Sequence, residues 1–391
     1  MPPPLYAWTT RVTNAFPVLS VCQARVLALY SFGLVLAQTC GLSTVAAILA
    51  ELLAHTTNAV RQRLREWYQD AATKAGTFRT ELDPTICFGP LLTWVLRDWT
   101  TRHLALALDP TYLGERFIVL TVAVLYRGCG VPVAWQVIPA DQQGSWTPHW
   151  EALLTTLAAR VGADWTVTVL SDRGLESQAL FQAIVALGWH PLMRIKQAAY
   201  FQPDGWHRPY RATALVPHVG SRWRGRGHAY KGQPLACTLL AYWGPDYDEP
   251  WLILTDVAPD QADAVWYGWR CWIEQTFKLI KRGGWQWQKT RMTDATRVAR
   301  LWVVVAVATL WLLEVGGVAE TQIPLATVVV DVLPRPGRRV RGIFRRGRTL
   351  LLSQWLSPRR AERPARFVPE AWPAVPEWHN ELLEQELEDS T

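Results

Sequence analysis

Apolar residues dominate the first eighty positions at helical spacing. Cys22 to Gln38 is densely apolar with few breakers, and LSTVAAILAELL (Leu42 to Leu53) predicts a second helix. His55 to Tyr68 predicts a third, with Thr56 or Thr57 at its start and Val60, Leu64 and Trp67 along one face. Arg61, Arg63 and Arg65 fall on its other faces. A helix, a short turn and a second capped basic helix outline a helix-turn-helix. The same pattern describes a helical bundle with a solvated arginine face.

From His103 the period changes. LALALD predicts a short strand ending at Asp109, and FIVLTVAVLY and VPVAWQVI predict two more, joined by the turn signal RGCG. Trp150 to Val161 reads as a helix and WTVTVLSD as a strand ending at Asp172. LESQALFQAIVALG then reads as a helix, and WHPLMRIK as a strand. Strands alternating with helices in this order predict an α/β sheet. Residues 198–256 break the alternation with tryptophans, glycines, prolines and arginines. Short runs such as PLACTLLAYW and PWLILTD predict a β-rich insertion.

The segment after it, YGWRCWIEQTFKLIK (Tyr267 to Lys281), mixes cations, an acid and aromatics. On a helix turning about 100° per residue, with Tyr267 at 0°, Arg270 falls at about 300°, Glu274 at about 340° and Lys281 at about 320°. Trp269, Ile273, Phe277 and Ile280 form an apolar stripe beside them. One helix therefore sends a phenol, two cations and a carboxylate along a single line. The plainer use of that spacing is an i,i+4 pair between Arg270 and Glu274.

Composition narrows the class. With 391 residues, half of them hydrophobic, the chain suits about two or three packed domains. A net charge of +7 permits an anionic partner without demanding one. The six cysteines form no CxxC pair and the eight histidines are scattered, so neither a zinc site nor a redox dithiol is expected. The amino-terminal residues lack the cationic and apolar pattern of a secretory leader. Leu301 to Leu313, the most apolar run, is shorter than the ~20 residues of a membrane span and is expected to be a buried core segment. Near the end, eleven arginines lie between Arg335 and Arg366 against one acid, Glu362. Six acids follow between Glu377 and Asp389 in a stretch read as a flexible tail. The arginine block suits phosphates.

Asp109 and Asp172 at strand ends and Glu274 on a later helix form a set of three carboxylates. Three such groups can hold two Mg²⁺ ions for in-line phosphoryl displacement, with no His or Cys needed. Cations and a phenol beside the acid suit a phosphate backbone.

These residues resemble a known family. Tyr267, Arg270, Glu274 and Lys281 match the Y-(2)-R-(3)-E-(6)-K signature of DDE transposases of the IS4 superfamily, which includes IS10- and Tn5-like elements. ALDPT around Asp109 and VLSDRG around Asp172 resemble that superfamily's two aspartate regions. The resemblance covers roughly residues 100–315. It implies an RNase H-like core interrupted by a β-strand insertion, with helical amino- and carboxyl-terminal regions. The corresponding division is a DNA-binding region at 1–98, core at 99–197, insertion at 198–256, core again at 257–318, and a basic and acidic region at 319–391.

The resemblance further implies that Asp109, Asp172 and Glu274 are catalytic and hold Mg²⁺, two ions, with Mn²⁺ able to substitute. Tyr267, Arg270 and Lys281 would contact DNA phosphates, as would Arg61 and Arg65 of the basic helix. Expected partners are double-stranded DNA, as terminal inverted repeats and target, and a second copy of the chain in a synaptic complex. No membrane partner is expected, and the location would be the bacterial cytoplasm. In hairpin-forming relatives a tryptophan of the insertion stacks on a flipped base. Trp223, in SRWRGRG, is the candidate, with Trp206 and Trp243 as others. Arg173 and Arg194 follow the later core strands and suit either DNA or solvent. The competing readings are another RNase H-like nuclease or resolvase, and a non-catalytic DNA-binding derivative of a transposase.

Overall fold

The computed structural model describes residues 1–74, 79–322, 342–357, 365–378 and 380. Most of the arginine-rich block and nearly all of the acidic tail lie outside them.

Five helices open the chain: α1 (Pro3–Ala15), α2 (Val21–Ala37), α3 (Leu42–Leu53), α4 (Thr57–Glu66) and α5 (Phe88–Leu96). α2 begins at a capping box in which Ser20 and Gln23 satisfy each other's backbone N–H groups. The Thr56 hydroxyl accepts from Ala59 N and caps α4. α4 buries Val60 and Leu64 and leaves Arg61, Arg63 and Arg65 exposed. Trp67, just past its end, donates its indole N–H to the Arg300 carbonyl at 2.8 Å.

Next come β1 (His103–Leu113), β2 (Phe117–Tyr126), β3 (Cys129–Pro139), α6 (Thr147–Ala158), β4 (Thr166–Ser171), α7 (Gln178–Ala186) and β5 (His190–Arg194). The insertion supplies β6 (Tyr200–Pro203), β7 (Tyr210–Arg211), β8 (Arg222–Ala229), β9 (Leu235–Tyr242) and β10 (Trp251–Thr255). All ten strands form one sheet, in the order β3-β2-β1-β4-β5-β10-β9-β8-β6-β7. β1 pairs antiparallel with β2 and parallel with β4, and β4 is parallel to β5. This mixed α/β sheet with helices at both ends matches the expected fold class. The insertion strands hydrogen-bond into the core sheet itself, because β10 pairs antiparallel with β5 through Ile253 and Arg194.

Among the described residues, three helices follow: α8 (Cys271–Lys278), α9 (Ala295–Gln322) and α10 (Ile343–Leu356). The expected core run at Leu301 to Leu313 lies within α9. By length and composition α9 could cross a membrane, but its apolar window is wholly buried in the fold. Burial therefore carries the assignment as a core helix, since the full helix is longer than the apolar run alone. Glu314, fully buried on α9, pairs with Arg11 of α1, and Arg97 stands 3.7 Å away. Burial holds the Glu314 carboxyl above its usual range, and the two arginines oppose that. Trp8 and Trp311 stack beside this pair at 3.7 Å. α9 crosses α10 at Gly316 and Gly347, where the two backbones touch and no Cβ fits.

Candidate active site

The last parallel pair between β1 and β4 is Leu108 with Ser171. Asp109 and Asp172 are the next residues on each strand, so the register alone brings these two carboxylates side by side. β1 does not end at Asp109, as the apolar run suggested. It continues to Leu113 because β2 goes on pairing with it, Asp109 lying opposite Thr121. Asp172 does follow its strand, where its Oδ1 accepts from Arg173 N at 2.8 Å.

The segment expected as one α-helix is three helices end to end. Ala264–Arg270 is a 3₁₀ helix, α8 follows, and Leu279–Gly283 is a π turn. Ile273, Phe277 and Ile280 are buried, as the apolar stripe implied. Thr276 fixes α8 to the sheet: its hydroxyl accepts from Gly130 N and donates to Gly130 O, both at 2.8 Å. A Cβ at Gly130 would come within 3.1 Å of the Ile273 backbone, so glycine permits this close approach.

The 3₁₀ turn changes the alignment of the polar groups. Residues three apart eclipse in a 3₁₀ helix, so Tyr267 and Arg270 point the same way instead of diverging by about 60°. The Tyr267 hydroxyl donates to Asp172 Oδ1 at 3.2 Å. Arg270 Nη1 stands 3.5 Å from Asp109 Oδ1, and its Nη2 pairs with Glu274 Oε1. Arg270 therefore lies between Asp109 and Glu274, while Tyr267 reaches Asp172. Lys281 is half-buried nearby.

Electrostatics mark this as one site. Burial pushes the Asp109 carboxyl up to about 7; Arg270 and Lys281 oppose the rise, and Glu274 and Asp172 add to it. Burial raises the Tyr267 phenol, with Asp172 adding to the shift. Burial lowers Arg270, but Tyr267 and the three carboxylates outweigh it and leave the guanidinium above its ordinary value. Lys281 is held below its ordinary value by burial and Arg282, and Asp109 partly offsets this.

The donor set is all carboxylate oxygen, which suits Mg²⁺ or Mn²⁺. Among the described residues, no three His, Cys, Asp or Glu side chains stand close enough to hold a metal ion as they are. Arg270 supplies the local positive charge instead. Its buried Nη1 has no hydrogen-bond partner. Burial is the main cause of the raised Asp109 carboxyl, and a divalent ion held between the carboxylates would favour its ionised form.

Two other expectations have clear outcomes. Trp223 is buried against Phe201, ring centroids 5.7 Å apart, and cannot stack on a base as placed. Along β8 the arginines 222, 224 and 226 alternate with Trp223, Gly225 and Gly227, and the tryptophan is on the inner face. That period of two was readable in SRWRGRG. Trp206 packs on Tyr210, and Trp243 donates to the Tyr247 carbonyl. Arg173 and Arg194 both reach Glu249 Oε1 at 2.6 Å, an acid that sequence reasoning had not singled out.

A family model described as the transposase DDE domain matches residues 102–311, more than half of the chain. No curated protein matches. Among solved structures, the chain is similar to the cryo-EM structure of the piggyBac transposase synaptic complex with hairpin DNA. The TM-score is 0.38 and the sequence identity 10%, over 86% of this chain and 71% of that one.

Proposed function

This chain belongs to the family of transposases with a DDE domain, and we propose that it cuts the ends of a mobile DNA element and joins them to target DNA by phosphoryl transfer. The observation that carries this reading is the junction at the end of the β1–β4 ladder. Asp109 and Asp172 are neighbours in register there, and Arg270 and Tyr267 tie them to the helix bearing Glu274.

In this reading Asp109, Asp172 and Glu274 would hold Mg²⁺, two ions, or Mn²⁺ in its place. The bound ions would supply an activated oxygen nucleophile and charge for the leaving oxygen. Arg270 neutralises the carboxylates in the free protein and turns to a DNA phosphate as the substrate enters, releasing Glu274. Its planar donor fork suits a phosphate's oxygens. Lys281, half-buried beside Asp109, adds a second cation to the phosphate path. Tyr267 orients Asp172 through its hydroxyl. On α4, Arg61 and Arg65 lie one turn apart on the exposed side and would anchor the DNA backbone. The Tyr267, Arg270, Glu274 and Lys281 spacing supports membership of the IS4 superfamily. By the same resemblance, two copies of the chain would hold two element ends in a synaptic complex.

The test incubates the protein with DNA carrying the sequences that flank its own gene, with Mg²⁺, and scores binding and cleavage separately. Glu274→Gln is expected to bind the ends and not cut them. An Arg61→Ala/Arg65→Ala double variant is expected to bind about tenfold more weakly, with a shallower salt dependence. Equal cleavage by the wild type and Glu274→Gln would overturn the catalytic assignment.

A further inference from the structure

Residues 365–378 and 380, between the arginine-rich block and most of the acidic tail, are packed on the fold. The Ala365 carbonyl accepts from Arg11 of α1 at 3.3 Å. Phe367 is buried against Tyr126, and Val368 exchanges hydrogen bonds with Tyr126 and Arg127 at the β2–β3 turn. At the far end, the Trp378 carbonyl accepts from the Arg224 guanidinium, and the Asn380 amide pairs with both backbone groups of Arg224. Between these anchors the chain crosses the 3₁₀ helix that carries Tyr267 and Arg270.

The contact there is specific. The Trp372 indole meets Trp266 edge-on at 5.0 Å, Trp269 at 5.2 Å and the His103 ring at 5.1 Å. Trp266 donates its indole N–H to the Pro373 carbonyl at 3.1 Å. In a 3₁₀ helix, residues 266 and 269 form one ridge and 267 and 270 the next, about 120° away. The carboxyl-terminal strap grips the first ridge, and the site uses the second.

We infer that Trp372 is a positioning residue for the active site. By holding Trp266 and Trp269 in eclipse it keeps the turn in 3₁₀ form, which aims Tyr267 at Asp172 and Arg270 at Asp109. Without it the segment relaxes toward the α-helical register of α8. Tyr267 and Arg270 then diverge by about 60°, and one of the two carboxylates loses its partner. The strap thus makes catalytic geometry depend on residues more than a hundred positions away in sequence. This inference rests on the functional reading above.

Three proteins test it: wild type, Trp372→Ala and Trp372→Phe, each compared for end-DNA affinity, single-turnover cleavage at saturating DNA and amide exchange of residues 264–272. Trp372→Ala is expected to cleave about tenfold or more slowly with affinity within about twofold of wild type, and to exchange faster across 264–272. Trp372→Phe, which keeps an aromatic edge, is expected to recover most of the rate. Wild-type cleavage by Trp372→Ala, a loss confined to affinity, or no recovery in Trp372→Phe would each overturn the inference. A wild-type protein that cuts no end DNA would instead sink the functional reading itself.

Discussion

Asp109→Asn is expected to abolish DNA-end cleavage, by about 10³-fold or more, while making the metal-free protein more stable at about pH 8. The two effects share one cause. Asp109 is largely shielded from solvent with Glu274 and Asp172 nearby, and its carboxyl is pushed up to about 7. Unfolded, the same carboxyl titrates near about 4. A carboxyl whose folded value is the higher costs the folded state stability whenever it is ionised. The cost is absent below about pH 4, grows with pH across the interval, and is complete above about 7. Asparagine removes that charge, so the stability gain is largest at alkaline pH and fades toward acid. It is worth a few kcal/mol at most, a figure that already includes the opposing attraction of Arg270 and Lys281. Thermal unfolding of metal-free protein at about pH 8 and about pH 4 measures it. A lower melting temperature for the variant at the alkaline end would contradict the electrostatic account.

Gly347→Val is expected to be among the most damaging single substitutions, costing about 3 kcal/mol or more. At the α9–α10 crossing, a Cβ on Gly347 would overlap the Leu312 carbonyl, and one on Gly316 would overlap the Ile343 carbonyl. Backbone cannot yield as a flexible side chain can, so the helices must part. α10 also places Phe344 against Trp285, at 5.1 Å, and against Gly284, just beyond the π turn that carries Lys281. Urea unfolding is therefore expected to show a lower midpoint, and Lys281 should lose its support with α10. An unchanged midpoint would mean that the crossing opens without cost. Exposed substitutions on α4, by contrast, are expected to leave stability within about half a kcal/mol.

Much of the core was legible because its signals are local and periodic. Alternating strands and helices predicted the α/β sheet, and the carboxylates were found from their places after β-prone runs and from the Tyr267 to Lys281 spacing. Other features depend on partners distant in sequence. Asp109 sits within β1 because β2 keeps pairing past it, and a single strand's apolar run cannot reveal its neighbour's length. The 3₁₀ and π turns were invisible to a projection that assumed one helical period. The strap was missed because Phe367, Trp372 and Trp378 lie among prolines with no period to read, and their order comes wholly from tertiary contacts. Trp223 was different: the alternation of arginine with tryptophan and glycine along β8 already placed it on the face opposite the arginines.

Asp109, Asp172 and Glu274 are proposed to act together as one divalent-ion site, with Arg270 standing in for the ion in the free protein. The most direct measurement is manganese binding, followed by the paramagnetic signal of free aqueous Mn²⁺ at about pH 8, where Asp109 is ionised. Wild type is compared with Asp109→Asn, Asp172→Asn and Glu274→Gln. The account predicts that the wild type takes up Mn²⁺ and that each substitution alone weakens uptake by about tenfold or more. Equal binding by all four proteins, or none by the wild type, would contradict it.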